Sequence, residues 1–210
     1  MIFRLDERLL FPDPALAEED GLLAVGGDLS IGRLLLAYSH GIFPWYSEGE
    51  PVLWFSPHER FVLFPEELKV SKSMRQVLRS GKFTITTDSA FEQVIAACSA
   101  MKRPGQDGTW ITEDMKNAYC SLHRSGHAHS VEIWENGELA GGLYGVAIGK
   151  VFCGESMFSR KSNASKMALI HLCQSGQFTL IDCQVYTPHL ESMGAHMISR
   201  AAYLEFLPRT

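Results

Sequence analysis

The stretch from His129 to Phe158, HSVEIWENGELAGGLYGVAIGKVFCGESMF, constrains the fold more than any other part of the chain. Its apolar and alternating segments are divided by two turn signals, Asn136-Gly137 and Gly149. Asn-Gly suits a two-residue hairpin because both central residues of that turn take positive φ. Strands joined by turns this short pair antiparallel, so the stretch predicts a three-stranded meander. Helical periodicity flanks it in SKSMRQVLRSG, SAFEQVIAACSAM, TEDMKNAYCSLHRSG and NASKMALIHLCQ, while KFTITTD and FTLIDCQVY read as strands. Helices, a meander, then helix and strand predict an α+β domain with an open, mixed sheet.

Residues 12–60 have a different texture, rich in Gly, Pro and aromatics around one apolar helical stretch, IGRLLLAYSHG, that Gly41 is placed to stop. GIFPWYSEGEPVLWFSP, Gly41–Pro57, holds two tryptophans, and its prolines at 44, 51 and 57 oppose both a helix and a regular ladder. Such a stretch is either a packed loop or a wall that holds a flat ring or an apolar side chain. The change of texture sets a boundary near residue 60, giving a small N-terminal domain (1–60) and a second domain (61–210).

Bulk properties exclude several classes. No run of about 18 apolar residues is present, so no membrane span is expected. MIFRLDERLLFPDP lacks the apolar centre of a signal peptide. Five cysteines without a CxxC pair fit reduced thiols in a cytoplasmic protein rather than a disulfide framework, which makes the NAS sequon at Asn163 incidental. A net charge of -5 argues against a generally basic nucleic-acid coat, so nucleic-acid contact must be local.

Three features can carry chemistry. In FTLIDCQVY, period-two alternation puts Leu180, Asp182 and Gln184 on one face, with Gln184 about 7 Å along from Asp182. A carboxylate among apolar residues must be paired, hydrogen-bonded or functional, although a lone D-x-Q is more often an acid emerging at a strand end. In KVFCGESMF, Glu155 shares a face with Val151, Cys153 and Met157, and can reach the Asp182 face if both strands lie in one sheet. Cys153 with His127 or His129 would be a nucleophile and base, and the HxH of HAHS a metal motif, but no third metal ligand is suitably spaced and strand alternation accounts for both histidines. In KVSKSMRQVLRSGK, Lys72, Arg75 and Arg79 form one helical stripe opposite Met74, Val77 and Leu78, with no acid from residue 68 to 82. Charge runs are usually solvated surface; a stripe of one sign points more to phosphate.

GLLAVGGDLS, GIFPWYS, LWFSP, GTWIT, GHAHSVE, GGLYGV, FCGESMFS, NASK and LIDCQ occur in that order. Together they closely resemble the leucyl/phenylalanyl-tRNA–protein transferases of bacteria, over about Gly21 to Cys183 and more weakly to Leu207. The resemblance implies a small N-terminal domain followed by a GNAT-like acyltransferase domain with a mixed, largely antiparallel sheet. It implies transfer of Leu or Phe (also Met) from aminoacyl-tRNA to the α-amino group of proteins with N-terminal Arg or Lys, which creates an N-end-rule degradation signal. The partners implied are Leu-tRNA, Phe-tRNA and those acceptor proteins, with no metal and no cofactor, because the tRNA ester is already activated. By similarity, Asp182 orients Gln184 at the reaction centre, and Glu155 binds the acceptor's positive groups or its amine. Trp45, Trp110 and Tyr119 would grip the 3′-terminal adenosine. Leu143, Phe152, Leu172 and Ile181 would line the donor side-chain pocket, and Lys72, Arg75 and Arg79 would meet the acceptor stem.

Two alternatives stand beside this. One is an acyl-coenzyme A dependent N-acyltransferase of the same fold, but RKSNASK lacks the glycines such enzymes place at a helix start to cradle pyrophosphate. The other is a non-catalytic tRNA-binding module, which leaves the Asp182, Gln184 and Glu155 trio unexplained.

Overall fold

The computed structural model describes residues 2–101 and 111–208. The N-terminal part contains β1 (Phe3–Leu5), β2 (Leu22–Gly26), α1 (Ile31–Ser39), β3 (Phe43–Pro44) and β4 (Leu53–Phe55). Its strands form a four-stranded sheet in the order β1-β2-β4-β3, parallel only between β1 and β2. α1 starts where the Ser30 hydroxyl accepts the Arg33 N–H and stops two residues before Gly41. The aromatic, proline-rich stretch is therefore more regular than the sequence suggests. Pro44 is tolerated because β3 lies at the sheet edge, where its missing N–H interrupts no inner ladder. Of the two tryptophans in that stretch, Trp54 is fully buried and donates its indole N–H to the Gly26 carbonyl, whereas Trp45 is 36% exposed.

The remaining elements are β5 (Glu59–Leu63), α2 (Lys72–Arg79), β6 (Thr84–Thr87), α3 (Phe91–Ser99), α4 (Glu113–Arg124), β7 (Ala128–Glu135), β8 (Glu138–Ile148), β9 (Val151–Ser159), α5 (Ala164–Gln174), β10 (Leu180–Asp182), α6 (Pro188–Ser192), β11 (His196–Ser199) and α7 (Arg200–Leu204). Seven strands form one sheet in the order β11-β5-β10-β9-β8-β7-β6. Every neighbouring pair is antiparallel except β10 with β9, so the sheet is mixed and largely antiparallel, as expected. The meander is β7-β8-β9, and its first turn has Asn136 at φ 53 and Gly137 at φ 81, the positive pair that an Asn-Gly hairpin supplies.

Strand alternation sends side chains into two cores. Val62, Tyr144, Val151, Cys153 and Leu180 pack with α1, α3, α4, α7 and Trp54 of the small sheet. Phe61, Leu143, Phe152 and Ile181 point the other way, against α2, α5 and α6. The first core is continuous from the four-stranded sheet into the large one, so α1 and β3 are held against the sheet that carries β9 and β10. Among the described residues, no helix is long and apolar enough to cross a membrane.

Candidate active site

β9 and β10 run parallel from Val151/Leu180 to Cys153/Asp182, and then only β9 continues. A cavity of about 400 Å³ opens there, lined by Gly154–Met157 on one side and Asp182–Val185 on the other. The four predicted pocket positions, Leu143, Phe152, Leu172 and Ile181, all line it, and Trp45 and Phe43 come to it from the N-terminal part. Its apolar walls with a few convergent polar groups have the character of a small-molecule site.

Glu155 is placed by a β-bulge. Tyr144 pairs with Ser156 and Gly145 with Gly154, which leaves Glu155 as the extra residue of β9. A Cβ at position 145 would stand 2.2 Å from the Cys153 carbonyl oxygen, so the bulge needs glycine opposite it. The bulge also corrects the sequence reading of this strand. Val151 and Cys153 share the first core, but Met157 lies past the bulge and packs in the second. Glu155 is aimed at α1 and α4: the Tyr38 hydroxyl donates to its Oε1 at 2.7 Å and the Tyr119 hydroxyl to its Oε2 at 3.0 Å. The two phenol oxygens are also 2.5 Å apart. Burial pushes the Glu155 pKa up to about 7, against the lowering effect of its hydrogen-bond donors. Burial and then the Glu155 charge hold both phenols well above their ordinary range, so each acts as a donor.

Asp182 and Gln184 do converge, but not through strand alternation. β10 ends at Asp182, and Gln184 sits at φ 59, a left-handed conformation that is uncommon for a non-glycine residue. Asp182 Oδ1 accepts the Gln184 backbone N–H at 3.0 Å, closing a local turn that holds this conformation. The Gln184 side-chain amide then donates to Glu155 Oε1 at 2.9 Å. Asp182 therefore holds the backbone of Gln184, and its side chain is fixed from Glu155.

The other oxygen of Asp182 is paired with Arg60, an interaction the sequence reading missed. Both side chains are buried, at 0% and 2% exposure, and the guanidinium also donates to the Gly41 carbonyl at 2.7 Å. Its central carbon lies over the rings of Phe43 and Tyr203, 5.0 and 4.3 Å from their centroids. Burial opposes the Arg60 charge, but the Asp182 carboxylate outweighs it and raises the arginine's pKa. A single signal in the sequence pointed this way: a charged residue directly before the apolar run Phe61–Phe64.

The remaining predicted residues fall as follows. Tyr119 has no open ring face: it is fully buried and edge-on to Tyr144, so the stacking role suggested for it gives way to that of hydroxyl donor to Glu155. Trp110 lies outside the described residues. Lys72, Arg75 and Arg79 are exposed along α2, while Met74, Val77 and Leu78 face the second core. The Arg75 guanidinium folds back onto the Val70 carbonyl, and none of the three makes an ion pair among the described residues. Among the described residues the thiol alternative finds no base. Cys153 Sγ is 3.5 Å from the Tyr203 hydroxyl, burial raises its pKa, and His129 is turned to Asp88 at 2.8 Å. Among the described residues no group of three His, Cys, Asp or Glu side chains is arranged to hold a metal ion.

Comparison with known proteins agrees with these motifs. Residues 62–208 match the family profile described as "Leucyl/phenylalanyl-tRNA protein transferase" and residues 27–58 the one for its N-terminal domain. A protein named "Leucyl/phenylalanyl-tRNA--protein transferase" from Syntrophobacter fumaroxidans is 60% identical over 98% of this chain and 89% of its own length. One of the same name from Chromobacterium violaceum is 55% identical over 99% of this chain and 91% of its own. Among solved structures, a GCN5-related N-acetyltransferase from Kribbella flavida is 12% identical with a TM-score of 0.38, covering 79% of this chain and 60% of the other.

Proposed function

The chain belongs to the leucyl/phenylalanyl-tRNA–protein transferase family and is an aminoacyltransferase, and we propose that the cleft between β9 and β10 is where Leu or Phe passes from tRNA to an acceptor α-amine. The observation that carries this is one cavity with three parts. Its walls are the apolar Leu143, Phe152, Leu172 and Ile181; Trp45 stands at one side; the Glu155, Gln184 and Asp182 set stands at another.

The donor is an activated ester, so aminolysis needs alignment of two substrates and removal of one proton. Glu155 is suited to take that proton: a carboxylate poised near pH 7 is matched to an α-amine whose pKa is about 7.7–8.0. The Gln184 amide nitrogen is engaged by Glu155, which leaves the amide oxygen to accept a hydrogen bond from the incoming amine. Asp182, held by Arg60 and by the Gln184 N–H, positions this amide and is not free to act as the base. As the amine attacks the ester carbonyl, the C–N bond forms and the ester C–O bond breaks, and the proton taken from the amine is passed on to the leaving 3′-oxygen, which departs as the tRNA hydroxyl.

An unbranched or γ-branched donor side chain fits the apolar walls, and a β-branched one crowds them. Trp45 stacks on the terminal adenosine, and the Lys72, Arg75 and Arg79 stripe meets the acceptor stem. The acceptors are proteins with N-terminal Arg or Lys, and the product is a degradation signal. Incubation of the protein with labelled Leu-tRNA and an Arg-starting peptide tests the proposal. Label should enter the peptide from the charged tRNA and not from acyl-coenzyme A; binding of tRNA without transfer would leave only a tRNA-binding module.

A further inference from the structure

Arg60 combines properties that a stability argument alone does not explain. It is 2% exposed at the start of β5, and its Nε has no partner among the described residues. A buried ion pair seldom adds net stability over apolar packing of the same volume, so its presence asks for another reason. The guanidinium is the meeting point of three segments far apart in sequence. Nη1 donates to Gly41, four residues before Trp45; Nη2 holds Asp182; and the guanidinium carbon lies over the rings of Tyr203 in α7 and Phe43 in β3. Gly41 itself is at φ 69, a backbone conformation that L side chains rarely adopt, so the carbonyl that meets the arginine is presented from a position suited to glycine.

We propose that Arg60 is a positioning residue that couples the donor-binding segment to the reaction centre. One arm of the guanidinium fixes the carbonyl from which Phe43, Pro44 and Trp45 depart, and the other fixes the carboxylate that holds Gln184. This rests on the reading of Trp45 as a donor contact and Gln184 as part of the reaction centre. The fork geometry is what the task needs. A guanidinium is planar and presents several fixed donors, so one group sets the separation and orientation of two partners, which a lysine ammonium does not do. An ester and an amine brought together in the wrong register react slowly even when both are bound; a misplacement of about 1 Å can lower the rate on the order of 10²-fold.

Arg60→Lys keeps the charge beside Asp182 but removes the second arm. It should still melt cooperatively, yet show kcat lowered about tenfold or more and the donor KM raised several-fold. Val94→Ala, a core truncation in α3 away from the cavity, supplies a destabilised reference whose kinetics should stay near the parent's. A second comparison removes the buried charges altogether. Binding of a non-hydrolysable leucyl-adenosine amide is measured by calorimetry for Asp182→Asn and for Arg60→Met/Asp182→Asn. The single variant should bind nearly as the parent does, and the double variant about tenfold more weakly, because only the double variant loses the Gly41 tether. Parent-like kinetics in Arg60→Lys, or equal binding by the single and double variants, overturns the coupling while leaving the transfer reaction intact. A parent that binds the amide but transfers nothing overturns the transfer reading, and the binding comparison still decides the coupling. A parent that binds no amide overturns both.

Discussion

The side-chain amide of Gln184 donates to Glu155 Oε1 across 2.9 Å, although 29 residues separate the two in the chain. Each is brought there by a local departure from regular strand: Glu155 by the β9 bulge, Gln184 by a left-handed residue just past the end of β10. Both departures are held by groups that belong to the same site. Deviations of this kind persist where surrounding structure over-determines them, and they gather at functional sites.

Replacing Glu155 by Gln should lower turnover by about 10² to 10⁴, the usual contribution of a positioned general base. The shape of the rate profile is more diagnostic than its height. With a pKa pushed up to about 7 in the free protein, Glu155 should give the parent an acidic limb in kcat/KM near neutrality, and the contribution of Glu155 to that limb should be missing in Glu155→Gln. A limb that persists unchanged would assign the proton to another group.

The same carboxyl predicts how stability depends on pH. Its folded-state pKa lies above the ordinary 4.5, so the folded protein holds a proton that the unfolded chain has released between pH 4.5 and about 7. Stability from this group is full below 4.5, declines as pH rises through that window, and is flat above it. The span corresponds to about 3 kcal/mol, an upper bound for a buried, hydrogen-bonded acid. Urea unfolding at pH 5 and pH 8 should show a larger drop for the parent than for Glu155→Gln, whose side chain does not titrate.

Much of this arrangement was legible in the sequence, and the losses have physical causes. The meander and the helices on either side follow from period and turn chemistry, because those signals are local, whereas the four pocket residues are implied only by the resemblance of the ordered motifs to the family. The face of Met157 was misread because a bulge inserts one residue without any mark in the alternation pattern. Gln184 was assigned to the correct neighbourhood for an incorrect reason, since the strand ends two residues early. Arg60 and Tyr38 were missed because their partners lie 122 and 117 residues away, a separation that no local pattern records.

Trp45→Ala should raise the apparent KM several-fold for both Leu-tRNA and a minimal leucyl-adenosine donor, since each carries the terminal adenosine. Loss of a stacked ring is worth about 1–3 kcal/mol per base. At 36% exposure, the residue contributes less to the core than its fully buried neighbour Trp54, so cooperative melting should survive. Collapse of the melting transition would instead mark Trp45 as a packing residue.

The α2 stripe, unlike Trp45, should discriminate between the same two donors. Arg75→Ala/Arg79→Ala removes charge only from the exposed face of α2, away from Met74 in the core. Binding of tRNA should weaken and its salt dependence flatten, because fewer counterions are released, while transfer from the minimal donor stays near the parent rate. Equal losses with both donors would show that the stripe supports the fold.

Asp182→Asn is the sharpest test of the reaction centre, and its two consequences have separate causes. The amide keeps the size of the carboxylate and can still accept the Gln184 N–H through its oxygen, so the turn and the left-handed residue should persist. What disappears is the negative charge beside Arg60, which leaves a guanidinium at 2% exposure without its ionic partner. Removing one member of a buried pair commonly costs 3–5 kcal/mol; with the Asn oxygen kept on the Gln184 N–H its NH2 faces the guanidinium, so a loss of about 3–5 kcal/mol and a lower Tm are expected. From the sequence alone the opposite sign is reasonable, since an imperfectly paired buried acid is relieved by neutralisation; the pairing with Arg60 reverses it. Turnover should fall on the order of 10²-fold or more, through the field and orientation at Gln184. Affinity for a leucyl-adenosine amide should change little, because the apolar walls and Trp45 are untouched. Single-turnover transfer from pre-bound Leu-tRNA, read alongside the melting curve, separates the effects: a folded variant with a near-parent rate would remove Asp182 from the mechanism, whatever its contribution to stability.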